Sequence, residues 1–362
     1  MNRPNQRLDM DAIAHKLGVS KTTVHYAIRN TGRVSEGTRR KILKFAEEVG
    51  YRPNGLARSL RLKRTHTVGV ILGSLTSTFH AHVLEGIDQT TQEQGYTMLL
   101  SCSNGRPEKE QKLIETLLDR SVDGLIVAPA DPDANRAFYQ SLLAQQVKLI
   151  FVDREVPGVN VDVVASDNRH GAFLITQHLI RSGRKRIGLV TTTSRDCRST
   201  SVRERLAGAE QAIREADLPA PLVLGLGIPD TTLDEEFGYN AIRFHLKNSG
   251  LKLDGIFAVH DGLAYGVIRA LLEARISVPK VVAVAGFDDQ DPSAYFQPPL
   301  TTVRQPMQHI GQEAARLLLR RLVEKAPLPT VRQRIALEPS LVLRASTGFS
   351  ECTTDKPKVP RR

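Results

Sequence analysis

At 362 residues, with 41% apolar and 25% charged side chains, the chain exceeds one ordinary domain and has the composition of a soluble protein able to bury a sizeable core. Its formal charge of +11 is concentrated at one end. Residues 1–66 hold 15 Lys and Arg against 5 Asp and Glu, a net +10, while the remaining 35 basic and 34 acidic groups leave only +1. A small cationic unit on a neutral body suits a polyanion-binding module, because each Lys or Arg that neutralises a phosphate releases condensed counterions. Cys102, Cys197 and Cys352 are far apart with no C-x-x-C spacing, which argues against a disulfide scaffold or structural zinc. No cofactor is expected. No apolar run approaches a membrane span of about 18 residues, and MNRPNQRLDM lacks an apolar leader core. The expectation is a cytoplasmic protein with no membrane partner.

Asp9 is placed to cap a helix from about Met10 to Leu17, stopped by Gly18, and Ser20 to cap a second from Lys21 to about Arg29. A three-residue joint, G-V-S, separates them, which is the spacing of a helix-turn-helix. Val24, Ala27 and Ile28 share one face of the second helix and point to a core. The opposite face leaves Lys21, Thr22, His25, Tyr26 and Arg29 outward, and with Ser20 and Thr23 on the first turn they form the candidate DNA contacts. A third helix, capped by Ser35 and ending at Gly50, has Ile42, Phe45, Ala46 and Val49 as its apolar stripe. The apolar periodicity argues against a disordered basic arm, and the local charge against a generic three-helix bundle.

From Thr67 short apolar runs alternate with helix-length segments: TVGVIL, YTMLLSC, DGLIVA and KLIFV, then RIGLV, DGIFAV and VVAVAGF. That rhythm predicts an α/β class with parallel sheets, in two groups of strands separated near Val163 to Asp167. Ligands of such sheets bind beyond the carboxyl ends of the strands.

Enzyme motifs are missing: no G-x-x-x-x-G-K-[ST] phosphate loop, no G-x-S-x-G elbow, no H-E-x-x-H, and G-L-G-I-P-D (Gly225 to Asp230) lacks the third glycine of a dinucleotide fingerprint. His80 and His82, two residues apart, diverge on a helix and make a poor metal pair, and Cys197 in R-D-C-R reads as a bystander. The chain is therefore expected not to be an enzyme. A transport receptor would call for a leader and no cationic headpiece.

The sequence resembles the LacI-type (lactose/galactose repressor) regulators through A-x-x-L-G-V-S-x-x-T-V (Ala14 to Val24), V-S-E-x-T-R (Val34 to Arg39) and G-Y-R-P-N-x-x-A-R-S-L (Gly50 to Leu60). The likeness continues through V-D-G-L-I (Val122 to Ile126), S-D-N-R-x-G-A (Ser166 to Ala172), R-x-R-L-x-G (Arg203 to Gly208), G-F-D-D (Gly286 to Asp289) and P-P-L-T-T-V-R-Q-P (Pro298 to Pro306). It implies a transcriptional regulator, most often a repressor, acting as a homodimer on double-stranded DNA at a pseudo-palindromic operator. A periplasmic-binding-protein-like (type I) domain, crossed three times by the chain, would hold a small-molecule effector between two lobes, a sugar or sugar acid. The implied organisation is a helix-turn-helix headpiece over 1–50, a hinge helix and linker over 51–66, an effector domain over 67–347 and a frayed tail over 348–362.

The same resemblance adds Asn54, Ala57 and Leu60 of the hinge to the DNA contacts, with Leu60 wedging into the minor groove. Unstacking that base step costs a few kcal/mol, repaid by contacts to the bent duplex. It implies effector contacts at Ser77, Phe79, Asp153, Arg205, His260 and Asp288. The carboxylates can accept from hydroxyls, Arg205 can form a bidentate fork, and Phe79 offers a stacking face. The family usually has Ser, often Arg, and Asn where this chain has His25, Tyr26 and Arg29. It has Asn in place of His260 and commonly Phe in place of His80. An altered half-site and an effector unusual for the family are expected. The same architecture could instead answer to a protein partner or to no free effector.

Overall fold

The computed structural model describes residues 10–51, 64–192, 199–224, 234–323 and 332–348. They form two compact units, divided between Thr65 and His66.

The described residues of the first unit form three helices: α1 (Met10–Leu17), α2 (Lys21–Arg29) and α3 (Glu36–Glu48). Gly18, at φ +64, turns the chain between the first two. Ser35 caps α3 by accepting from Thr38 N. Ile13, Val24, Ala27 and Ile42 form the centre of a shared core, with Ile28, Phe45 and Tyr51 packed around it. The predicted stripes of α2 and α3 are therefore the ones that meet.

In the second unit a six-stranded parallel sheet has the order β11-β5-β4-β3-β1-β2, built from β1 (Thr67–Leu72), β2 (Thr97–Cys102), β3 (Gly124–Val127), β4 (Leu149–Val152), β5 (Asp162–Ser166) and β11 (Arg334–Leu337). A four-stranded parallel sheet has the order β7-β6-β8-β9, from β6 (Ile187–Val190), β7 (Leu222–Leu224), β8 (Gly255–Ala258) and β9 (Ala283–Ala285). Beside it β10 (Thr302–Arg304) and β12 (Ser340–Val342) pair antiparallel.

Alternation along β1 sends Val68, Val70 and Leu72 to one core and Ile71 to the other, as expected for a sheet covered on both faces. The first face packs on α4 (Thr78–Glu93) and α11 (Met307–Val323), whose backbones touch: a Cβ on Gly86 would lie 2.0 Å from Gln308 O. The second packs on α5 (Pro107–Asp119) and α6 (Arg136–Ala144). The second lobe adds α7 (Asn168–Arg181), α8 (Thr200–Glu215), α9 (Asp234–Ser249) and α10 (Asp261–Glu273). The chain passes between lobes three times, from β5 to α7, from β10 to α11 and from β11 to β12.

One expectation is corrected. Residues 163–167 do not separate the two groups of strands; β5 occupies 162–166 and pairs with β4 in the first sheet. The separation falls after it, where Asp167 caps α7 through His170 N. The second flank of β5 is taken by β11, which returns from the far end of the chain.

Candidate functional site

The described DNA-reading candidates lie on and just before α2. Ser20 Oγ accepts from Thr23 N at 3.0 Å and lies 2.8 Å from Thr23 Oγ1, so both side chains are engaged in starting the helix. Lys21, Thr22 and Arg29 are exposed and His25 is half-buried. Lys21 Nζ is 2.6 Å from Asp11 Oδ2 on α1, with both side chains more than half exposed. Tyr26 spends one ring face on the following turn. A Cβ at Gly32, where φ is +69, would come within 2.8 Å of the ring, and Tyr26 keeps 39% of its surface exposed. Asn54, Ala57 and Leu60 lie outside the described residues.

The effector candidates gather at the carboxyl ends of β4, β8 and β9. Arg205 is the centre. It is only 2% exposed, because Gly208 lets α8 lie directly on α7: a Cβ there would be 2.1 Å from Arg169 O. That approach brings Arg205 Nε to 2.8 Å from Asn168 Oδ1 on α7. Its Nη1 donates to Val259 O at 2.6 Å and to Asp288 Oδ1 at 3.3 Å, and lies 3.1 Å from His260 Nδ1. The guanidinium carbon lies 3.9 Å from the Phe287 ring centroid.

Asp288 is also buried and additionally accepts from Gln305 Nε2 at 2.7 Å. Burial alone would raise its pKa, but the charge of Arg205 and the imidazole of His260 hold it below the usual carboxylate range. His260 is oppositely placed: burial disfavours its charged form, yet the bond and charge of Asp288 prevail and raise its pKa. Its side chain keeps a quarter of its surface exposed. Asp288 has φ +119, well outside the ordinary regions for a side-chain-bearing residue, and Asp153 has φ +68.

Across the cleft Asp153 is held by its neighbour, Arg154 Nε donating at 3.0 Å. Close to Asp153 in space, burial lowers the pKa of His80, which favours a neutral imidazole. Its Nδ1 is buried with no hydrogen-bond partner among the described residues. An open groove of about 520 Å³ borders Asp288 and Gln305, lined also by His82, Arg304 and Met307, and of the six expected effector contacts only Asp288 lines it. That is ample for a small metabolite.

Two expected contacts look different in place. Ser77 is the N-cap of α4, accepting from His80 N at 3.5 Å. Phe79, expected as a stacking face, is 7% exposed and packs in the first-lobe core with Val83 and Ile87. Asn168, Arg154, Phe287 and Gln305 also belong to these clusters, beyond the residues that the sequence points to. Asn168 and Gln305 do fall inside the motifs S-D-N-R-x-G-A and P-P-L-T-T-V-R-Q-P, and that was the available signal.

Residues 9–54 match the model of bacterial regulatory proteins of the lacI family, and residues 176–347 that of the periplasmic binding protein-like domain. The ribose operon repressor of Escherichia coli (strain K12) is 32% identical over 344 residues, covering 93% of this chain and 99% of that protein. Among solved structures, a CelR–cellobiose complex is 27% identical with a TM-score of 0.68, and the lac repressor bound to ONPG is 25% identical with a TM-score of 0.82. Each alignment covers 94% of this chain and 100% of the other. With the three-helix headpiece and the two parallel sheets in view, the chain belongs to the lacI family of bacterial regulatory proteins, and it is a DNA-binding transcriptional regulator.

Proposed function

We propose that the chain is a non-catalytic, cytoplasmic homodimer that reads a pseudo-palindromic operator and adjusts its grip when a neutral sugar enters the cleft of residues 67–347. In this reading residues 1–50 are the headpiece, 51–66 the hinge and 348–362 a tail. Lys21, Thr22, His25, Tyr26 and Arg29 meet the major groove, Ser20 and Thr23 set the first turn of α2, and Asn54, Ala57 and Leu60 enter the minor groove between half-sites.

The observation that favours a sugar over a sugar acid is charge compensation. Asp288 has Arg205 and Asp153 has Arg154, so neither arginine is a spare cation for a carboxylate ligand. The two carboxylates, Gln305, Ser77 and His260 remain able to bond hydroxyls. The E. coli relative is a repressor of a ribose operon and a structural neighbour holds cellobiose, and both support a sugar here.

Calorimetry with D-ribose, cellobiose, other neutral sugars and their aldonic acids tests the effector class. Heat from a neutral sugar, reduced in Asp288→Asn, is the expected result. Tighter binding of the acids would reverse the assignment, and no heat from any of them would favour a protein-borne signal. For the DNA side, Leu60→Ala should weaken operator binding by on the order of a few kcal/mol while leaving sugar binding intact.

A further inference from the structure

Asp261 touches none of the proposed effector contacts through its carboxylate, yet it is fully buried one residue after His260. An acid in the first turn of a helix ordinarily complements the helix dipole or caps it. This one does something else, because the donors to it lie outside α10. Oδ2 accepts from Gln290 N and from Ser293 Oγ, each at 2.8 Å, and Oδ1 accepts from Thr302 Oγ1 at 2.6 Å. Its backbone N–H donates to Phe287 O at 2.8 Å. Tyr265 extends the network by pairing its hydroxyl with Ser293 Oγ at 2.7 Å.

These bonds fall on both sides of Asp288 and Asp289, the two consecutive residues with left-handed backbones at φ +119 and +55. Such a pair persists only where its surroundings hold it. Gly286 completes the fit, since a Cβ there would lie 2.2 Å from Asp261 Oδ1.

We propose that Asp261 is the positioning residue of the effector site: it clamps the segment from Phe287 to Ser293 so that the Asp288 carboxylate faces His260 and Arg205. The inference rests on the reading of Asp288 as an effector contact, but its test requires no effector. His260 is faced by Asp288, Arg205 and Asp234; Asp288, through its bond and its charge, raises the imidazole pKa most, and Asp234 adds a smaller push in the same direction. The imidazole titration therefore reports where Asp288 sits.

In the full-length protein labelled at histidine Cε1, the NMR midpoint of His260 should fall in Asp288→Asn. It should fall by about half as much or more in Asp261→Ala and in Gly286→Ala, whose methyl displaces the carboxyl without removing it. Asp261→Asn keeps the shape, accepts from Gln290 N and Ser293 Oγ through its one oxygen and donates from its amide to Thr302 Oγ1, removing the charge, and should leave the midpoint near the wild-type value. Should Asp261→Ala fail to fold, Gly286→Ala and Asp261→Asn decide the matter. Wild-type midpoints in Asp261→Ala and Gly286→Ala, a midpoint unmoved by Asp288→Asn, or an Asp261→Asn shift as large as that of Asp288→Asn would each overturn the proposal. Loss of sugar binding plays no part in these outcomes, so failure of the effector reading would show separately.

Discussion

Arg205 Nη1 lies 3.3 Å from Asp288 Oδ1, and neither side chain is more than a tenth exposed. The two residues come from α8 and the loop after β9, so the pair ties together elements far apart in the chain. A buried pair of this kind adds little net stability when complete, because desolvation offsets attraction. Removing one partner is another matter.

Arg205→Ala would take the guanidinium donor from Asn168 Oδ1 and Val259 O, leave the Asp288 carboxylate with only Gln305 and His260, and uncover the Phe287 ring. The expected cost to the effector domain is about 3–5 kcal/mol, read as a lower urea midpoint. Operator binding by the headpiece should survive at temperatures where both units stay folded. A loss under about 1 kcal/mol would mean that water reaches the cluster freely, against the burial of Arg205 and Asp288.

The pH dependence of stability should be set in part by Asp261. Burial, the charge of Asp288 and the opposing hydrogen bonds leave its pKa raised to about 7, against about 3.9 in an unfolded chain. Between those values the folded protein holds a proton that the unfolded chain has released. Stability from this group is therefore greatest at the acid end of the window and declines as pH rises toward neutrality. His260 works in the same direction, because its pKa is also raised. Its contribution is complete below about 6.5 and is lost as pH passes its folded value. The wild-type urea midpoint should fall more steeply between about pH 5 and pH 8 than that of Asp261→Asn. Parallel profiles would remove Asp261 from the account.

The legible and illegible parts of the fold divide along physical lines. β1, β3, β4, β6 and β8 are buried apolar runs, and such runs declare themselves in sequence. β5 has a similar run, V-V-A, but its place between β4 and β11 depends on a pairing with Arg334–Leu337, which no local pattern announces. β7, β10 and β12 are three residues each, too short for a period to show. In the site, Arg205 and Asp288 fall inside the motifs R-x-R-L-x-G and G-F-D-D, while His260 follows the run DGIFAV and is reached only through the family resemblance. That Arg154 and Phe287 are partners does not show in the sequence, because what makes them partners is distance across the fold. Phe79 is the instructive case. Its spacing with Val83 and Ile87, four residues apart each time, carried the core signal that the structure honours.

Gly32 should be as consequential for DNA preference as an α2 side chain. Its backbone is left-handed at φ +69 and the Tyr26 ring rests where a Cβ would stand. Gly32→Ala should destabilise the headpiece by about 1 kcal/mol or more through backbone strain and force Tyr26 off its seat. Selection from randomised duplexes should then return an altered half-site, with the unspecific affinity little changed. An unaltered selected site would place Tyr26 away from the bases.

The contact between Lys21 and Asp11 makes a prediction whose two halves check one another. Exposed ion pairs contribute about 0–1 kcal/mol, so Asp11→Asn should hardly move headpiece stability. If Lys21 meets a phosphate in the complex, Asp11 is a negative charge held beside the duplex, and neutralising it should tighten DNA binding at low salt. Lys21→Ala should weaken binding almost equally for all sequences and flatten the dependence of log affinity on log salt by about one unit. Titrations by fluorescence anisotropy at several salt concentrations give both numbers. An unchanged slope in Lys21→Ala would turn this edge of α2 away from the backbone, and the cationic footprint would then have to rest on other exposed groups such as Arg29, Arg33 and Arg40.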